Sequence, residues 1–135
     1  GDNSKILAER LAREGRGPGD DEAAAHLVPS TASQGRWAPG KRARDLLAKY
    51  GIGVNEPCNG IPLGEPRPHN YTHRGPFLRN VEKQLNSTEQ AMKRAGASDG
   101  QIAHALRRDL RNIGTEVSAE LAGGSPGPGA KWTAP

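Results

Sequence analysis

The sequence predicts an α+β fold in a single domain, because segments of helical periodicity are separated by turn residues that suit a β-hairpin. Apolar residues recur at helical spacing over residues 42–50, 77–95 and 102–121. Between the first two segments, Asn55-Glu-Pro and Asn59-Gly60 supply the turn residues of a hairpin. A length of 135 residues allows one domain, and a hydrophobic content of 33% indicates a modest core.

The N-terminal half contains two predicted helices and one predicted strand. Residues 4–14 carry apolar side chains on one face, and the glycine-rich segment 15–21 ends this first helix. The second helix spans residues 42–50 and stops at Gly51. Its apolar stripe follows the spacing i, i+3, i+4, i+7 and consists of Ala43, Leu46, Leu47 and Tyr50. A strand is predicted near residues 61–63.

The C-terminal half predicts two further helices that pack on each other. Pro76 suits a first helical turn, and the apolar phase then continues over residues 77–95 to a stop at Gly96. Ser98 and Gln101 have the spacing of a capping box for the next helix, which extends to residue 121. The glycine- and proline-rich segment 123–135 has no periodicity and predicts a disordered tail.

The basic residues are concentrated in one part of the chain. The net charge is +4, and residues 36–50 hold five basic residues against Asp45 alone. These five side chains are candidates for phosphate contacts, although a solvated helix face is the alternative reading: Arg36, Lys41, Arg42, Arg44 and Lys49. Cys58 has no partner for a disulfide. Neither a signal peptide nor a transmembrane run is visible, so export would need a larger delivery machine or a parent polypeptide.

An ordered set of motifs carries a family resemblance. His26-Leu-Val-Pro is followed by the run Ala43–Ile52, by Asn55, and by Asn59-Gly-Ile-Pro-Leu. The set ends in His69-x3-His73-x3-Phe77-x3-Val81. Over about residues 23–85, this order resembles the AHH branch of the HNH/endonuclease VII nucleases.

The resemblance implies a ββα-metal (His-Me finger) core with additional flanking helices, in which residues 24–29 form the first strand. It divides the chain into an N-terminal helix and linker (1–22), a nuclease core (23–97), a C-terminal helix packing on the core (98–122) and the tail (123–135). It makes His26 the general base, makes His69 and His73 ligands of one divalent metal (Zn, Mg, Mn or Ni), and makes Asn59 the asparagine that holds the base histidine in position.

One position departs from the family pattern. Ala25 stands where the family has the first histidine of its Ala-His-His motif, which is expected to be a metal ligand. The departure is either an engineered inactivating substitution or a natural one. With only His69 and His73 left as protein ligands, metal affinity and catalysis are expected to fall. His104 lies between apolar positions of a predicted helix and is assigned to the helix surface or to packing.

The function implied by the resemblance is that of a DNA-cleaving toxin domain. Such domains are delivered by bacterial secretion systems and act in the cytoplasm of the target cell. The implied partners are double-stranded DNA, the delivery polypeptide and an immunity protein, expected to be acidic because this chain is basic. Two alternatives remain: a catalytically dead module recognised by an immunity or delivery protein, and a structural zinc fold that binds DNA without cutting it.

Overall fold

The computed structural model describes residues 2–134, and in this range it contains helices and a two-stranded sheet. Their order is α1 (Asp2–Arg13), β1 (Glu22–His26), α2 (Ala38–Lys49), β2 (Gly60–Gly64), α3 (Gly75–Arg94) and α4 (Asp99–Glu120). Short 3-10 turns lie at Gly35–Trp37, Pro57–Asn59 and His69–His73. The predicted α+β class is confirmed. Among residues 2–134, no helix is both long enough and apolar enough to cross a membrane.

The two strands form an antiparallel hairpin with a long connection, residues 27–59, which contains α2; the end of β1 lies next to the start of β2. The register pairs Glu22 with Gly64 and His26 with Gly60. β1 begins two residues earlier than expected and ends at His26 rather than at Pro29. Beyond the strand, the Leu27 amide still donates to the Asn59 carbonyl at 2.9 Å. His26 therefore lies at the end of the hairpin where the connecting segment leaves β1.

The hairpin is covered by helices on both faces. Ala24 packs with Leu7 and Leu11 of α1 in a small cluster on one face. Glycine at position 60 permits this approach, because a Cβ there would lie 2.7 Å from the Leu7 methyl groups. On the other face, Ile61 belongs to the main core. Gly114 of α4 lies so close that a Cβ there would be 2.9 Å from Ile61 Cγ2.

The main core lies between the hairpin and helices α2, α3 and α4. α2 begins at Ala38, before the predicted start at residue 42, because Pro39 occupies its first turn. α3 is one continuous helix with Pro76 in its first turn, as predicted. The predicted capping box of α4 is also present: the Ser98 hydroxyl accepts from the Gln101 amide, and the Gln101 side chain accepts from the Ser98 amide at 2.9 Å.

The C-terminal segment folds back on α4, and the expectation of a disordered tail is wrong for its described residues. Trp132 is only 3% exposed and belongs to the main core. The Glu120 carboxylate accepts from the backbone amides of Lys131 at 2.8 Å and Thr133 at 2.9 Å. Tail composition gave no sign of this, because one buried indole and one carboxylate order a segment that lacks periodicity. Pro135 lies outside the described residues.

Candidate active site

Three of the four histidines line one cleft of about 310 Å³. His26 reaches it from the end of β1, and His69 and His73 reach it from the 3-10 turn that precedes α3. The wall is completed by Trp37 and by Asn3 at the start of α1. The structure thus brings together the predicted base and the two predicted metal ligands, which are more than forty residues apart in the chain.

The two histidines of the turn lie next to each other. Their ring centroids are 4.8 Å apart in an edge-to-face arrangement. The Trp37 ring lies 5.3 Å from the His73 ring. The turn itself is held from both ends, because the Thr72 hydroxyl donates to the His69 carbonyl at 2.8 Å and Arg36 Nε donates to the His73 carbonyl at 3.0 Å. These contacts hold both imidazoles at the cleft.

The donors at the cleft fit a divalent metal in part. Two adjacent imidazoles suit two coordination positions of a transition metal. A carboxylate is close as well, since Glu65 Oε2 lies 3.8 Å from His69 Nδ1. Within residues 2–134, however, no three His, Cys, Asp or Glu side chains converge as a metal-binding group. His69 and His73 are the residues here that could hold such a metal.

Ala25 occupies the core face of β1. Its side chain is 0% exposed and belongs to the main core, where its strand partner is Ile61. The cleft is lined instead by Ala24 and His26, one residue to either side, which follows from the alternation of side chains along a strand. A larger side chain at position 25 must therefore displace core neighbours. The assignment of this position as a vacant metal ligand stays a prediction.

Asn55 holds the ring of His26, a contact that the sequence reasoning missed. His26 Nε2 lies 2.7 Å from Asn55 Oδ1. Asn55 belongs to the motif set that carries the family resemblance, but the resemblance assigns it no contact. No sequence signal could have found it, because the partners are 29 residues apart and asparagine is common in turns.

Asn59 contacts the backbone rather than the histidine ring. Its Oδ1 accepts from the Val28 amide at 2.9 Å, and its Nδ2 donates to the carbonyls of Val28 at 2.9 Å and Val54 at 2.8 Å. The side chain is 0% exposed. Asn59 therefore ties the segment after His26 to the loop before β2, which positions the predicted base through the main chain. Its assignment to catalysis stays a prediction.

Burial keeps the three cleft histidines neutral near pH 7. Desolvation lowers the pKa of His26, His69 and His73 below the ordinary histidine range. The hydrogen bond to Asn55 opposes the effect at His26, whereas the nearby His69 reinforces it. A neutral imidazole is the form that can accept a proton or bind a metal. The predicted base and ligands are therefore in the required protonation state.

Most of the predicted phosphate-binding side chains are engaged within the protein. Lys41 pairs with Asp45 at 2.6 Å, and Lys49 pairs with Glu89 at 3.0 Å. Arg42 forms two hydrogen bonds with Glu82, at 2.7 and 3.0 Å. Arg44 donates to the carbonyls of Pro29 at 2.8 Å and Ala32 at 3.1 Å, and so holds the loop after β1.

Arg36 is the predicted phosphate-binding residue that bonds a cleft residue. It bonds the His73 carbonyl, and its guanidinium lies 5.0 Å from the Trp37 ring centroid. Arg74, one residue after His73, lies 4.2 Å from the Tyr71 ring centroid and was not predicted. A signal for Arg74 did exist, since it directly follows the second histidine of the pair.

His104 and Cys58 lie outside the cleft. His104 is exposed on α4, in keeping with its assignment to the helix surface. Cys58 is buried, and burial raises the pKa of its thiol to about 11. A thiol of that pKa is not a nucleophile near pH 7.

Comparison with known proteins agrees with this geometry. A family model described as a nuclease family of the HNH/ENDO VII superfamily with conserved AHH matches residues 7–117. No curated protein and no solved structure matches the chain. The match covers most of the chain, including the hairpin, all three cleft histidines and α3. The chain belongs to the AHH nuclease family of the HNH/endonuclease VII superfamily.

Proposed function

We propose that this nuclease is a metal-dependent DNA endonuclease of the toxin type, hydrolysing phosphodiester bonds with a histidine base. The observation that carries the proposal is the meeting of His26, His69 and His73 in one cleft. All three rings have a lowered pKa because of burial, so they are neutral under cellular conditions. Neutral imidazoles serve both proton transfer and metal binding.

The work of the cleft is divided among its side chains. His26 takes the proton from the attacking water, because its ring is neutral and fixed at the end of β1. His69 and His73 would hold the metal, which would supply Lewis-acid stabilisation of the charge on the scissile phosphate and the leaving oxygen. Asn59 keeps the His26 segment in place through the backbone.

Double-stranded DNA is the proposed substrate, bound mainly through its backbone. Arg36 and Arg74 lie beside the cleft histidines and supply positive charge for phosphate contacts. Such contacts do not read bases, so we expect little sequence preference and a strong dependence on salt. Lys41, Arg42 and Lys49 form ion pairs within the protein, so we assign them a smaller share of the proposed DNA contacts than Arg36 and Arg74.

Ala25 is proposed to impair the chain as written. In the family pattern a histidine at this position is the third protein ligand, and without it His69 and His73 are left with water. Because Ala25 faces the core, the ring of such a histidine would reach the cleft only if the end of β1 rotates. We propose that the intact protein is delivered by a bacterial secretion system, acts in the cytoplasm of the target cell, and travels with an acidic immunity protein. The net charge of +4 supports the last point.

A second candidate function is a catalytically dead module that binds an immunity or delivery protein. It is favoured by Ala25 and by the finding that no group of three metal-binding side chains forms among the described residues. The two functions differ in whether restoring the motif restores cleavage. A binding module would bind its partner protein without cleaving nucleic acid, whether position 25 is alanine or histidine.

The test is plasmid cleavage with added Mg²⁺, Mn²⁺, Zn²⁺ or Ni²⁺. The parent chain is compared with Ala25→His and with the double variant Ala25→His/His26→Ala, and His104→Ala in the Ala25→His background serves as the matched control. We expect Ala25→His to raise nicking at least about tenfold, and the loss of His26 to abolish it, since a general base contributes ~10²–10⁴ in rate.

Folding has to be checked in the same experiment, because position 25 is buried. A far-UV spectrum and a melting curve establish that Ala25→His is folded. A folded Ala25→His variant that cuts neither DNA nor RNA with any of the four metals would contradict the endonuclease proposal and favour the binding module.

A further inference from the structure

A chain of side-chain hydrogen bonds connects the predicted base to the N-terminal helix. His26 Nε2 lies 2.7 Å from Asn55 Oδ1, and Asn55 Nδ2 donates to Asn3 Oδ1 at 2.9 Å. The three residues come from β1, from the loop before β2 and from the start of α1. Asn3 also precedes residue 7, where the family match begins. Asn3, the last member of the hydrogen-bond chain, therefore lies outside the residues that the family model matches.

The orientation of the Asn55 and Asn3 amides implies which nitrogen of His26 carries the proton. The Asn55 amide nitrogen faces Asn3, so the Asn55 carbonyl oxygen faces His26. A carbonyl oxygen can only accept, so His26 Nε2 must donate. The neutral ring then has its proton on Nε2 and its lone pair on Nδ1. Nδ1 is thus the atom that is free to take a proton from water.

α1 holds Asn55 at two points. Besides the Asn3 contact, Arg10 Nη1 donates to the Asn55 backbone carbonyl at 3.2 Å. The same loop is closed by Glu56, whose carboxylate accepts from the Gly53 amide at 2.9 Å and pairs with Arg107 of α4 at 2.8 Å. The loop is therefore clamped between two helices, which leaves the Asn55 side chain little freedom to rotate away from His26.

We propose that Asn55 is a positioning residue that holds His26 in the Nε2–H tautomer, and that Asn3 of α1 orients Asn55 for this task. α1 then completes the active site instead of only covering the hairpin. The consequence for catalysis rests on the proposed endonuclease function, whereas the tautomer is a property of the folded protein that can be read without any cleavage.

The test uses NMR on the full chain with ¹⁵N-labelled histidine, without metal and at a pH where the rings are neutral. Long-range ¹H–¹⁵N spectra separate the two tautomers by the shifts of the ring nitrogens. We expect the Nε2–H pattern for His26 in the parent and in Asn55→Asp, which keeps an acceptor. Asn55→Leu should give shifts averaged between the two tautomers, and Asn3→Ala a smaller change in the same direction.

Asn86→Ala is the matched control, because Asn86 is exposed on α3, remote in sequence from all three members. It should leave the His26 shifts unchanged. A parent His26 in the Nδ1–H tautomer would overturn the proposal, and so would unchanged His26 shifts in Asn55→Leu. If Asn55→Leu does not fold, Asn3→Ala decides, and unchanged shifts in that variant overturn the role of α1.

A cleavage assay distinguishes failure of the positioning role of Asn55 from failure of the proposed endonuclease function. In the Ala25→His background, Asn55→Leu should lower kcat at least about tenfold with little change in KM. This loss is part of the ~10²–10⁴ in rate that a positioned general base contributes. Asn55→Asp should recover most of this loss. A tautomer change in a protein that never cleaves would uphold the positioning role and refute the endonuclease. Full activity of Asn55→Leu would refute the positioning role.

Discussion

Replacing Asn59 by alanine tests whether this residue acts through the backbone. The change removes three hydrogen bonds, two that tie Asn59 to the amide and carbonyl of Val28 and one to the carbonyl of Val54. All of them come from a side chain with 0% exposure. The segment after His26 and the loop before β2 would lose their common anchor.

The magnitude follows from the groups left without a partner. A neutral hydrogen bond contributes about 1 kcal/mol, and a buried polar group stranded without one costs about 1–3 kcal/mol. The Val28 amide and carbonyl are affected most, because their bonds to Asn59 are buried, whereas the bond to Val54 is partly buried. We expect Asn59→Ala to lower the free energy of unfolding by about 3–5 kcal/mol, a large part of the ~5–15 kcal/mol that a domain has.

The assay is urea unfolding followed by far-UV circular dichroism, with Asn86→Ala as the control. The exposed control should lie within about 0.5 kcal/mol of the parent. A loss below about 1 kcal/mol for Asn59→Ala would refute the reasoning, because a buried side chain with three partners cannot then be a backbone anchor. Loss of cleavage in Ala25→His/Asn59→Ala with no loss of stability would instead indicate direct contact with the reaction.

Three further predictions concern the tail, the histidines and the arginines. Glu120→Ala removes the carboxylate that accepts from the tail amides, so the free energy of unfolding should fall by about 2–4 kcal/mol. In a Trp37→Phe background, the fluorescence emission of Trp132 should shift to the red; unchanged emission would mean that burial of the indole alone orders the tail. Burial lowers the pKa of the cleft histidines in the folded state, so below about pH 6.5 the unfolded chain binds more protons than the folded protein. The metal-free protein should therefore lose stability as the pH falls through this range. A free energy of unfolding that does not change between pH 7.5 and 5 in urea titrations would contradict the burial. Arg36→Gln should weaken binding to duplex DNA and reduce its salt dependence by about one counterion. Lys41→Gln breaks only an exposed pair with Asp45 and should change the affinity and the salt dependence little. Equal effects of the two variants in fluorescence anisotropy would indicate that all of segment 36–50 contacts phosphate, as the sequence predicts.

The elements of the fold could be predicted wherever the signal is local. The apolar stripe of α3, Pro76 in its first turn and the capping box at Ser98 depend on residues within a few positions of each other. The sequence also predicted that His26, His69 and His73 act together, because their spacing resembles the family. That prediction of a shared cleft came from the resemblance, and propensity alone would not have assigned alanine-rich β1 to a strand.

Contacts between distant residues were decided by the tertiary structure alone. Asn55 rather than Asn59 reaches the His26 ring, Ala25 faces the core, and Trp132 is buried against α4. Three of the five predicted phosphate-binding side chains, Arg42, Arg44 and Lys49, are likewise held by partners that the sequence does not indicate, such as Glu82 and Glu89. The physical reason is the same in each case. Residue type and spacing determine what a side chain can bond, but packing of the helices around the hairpin determines which partner lies within 3 Å of it.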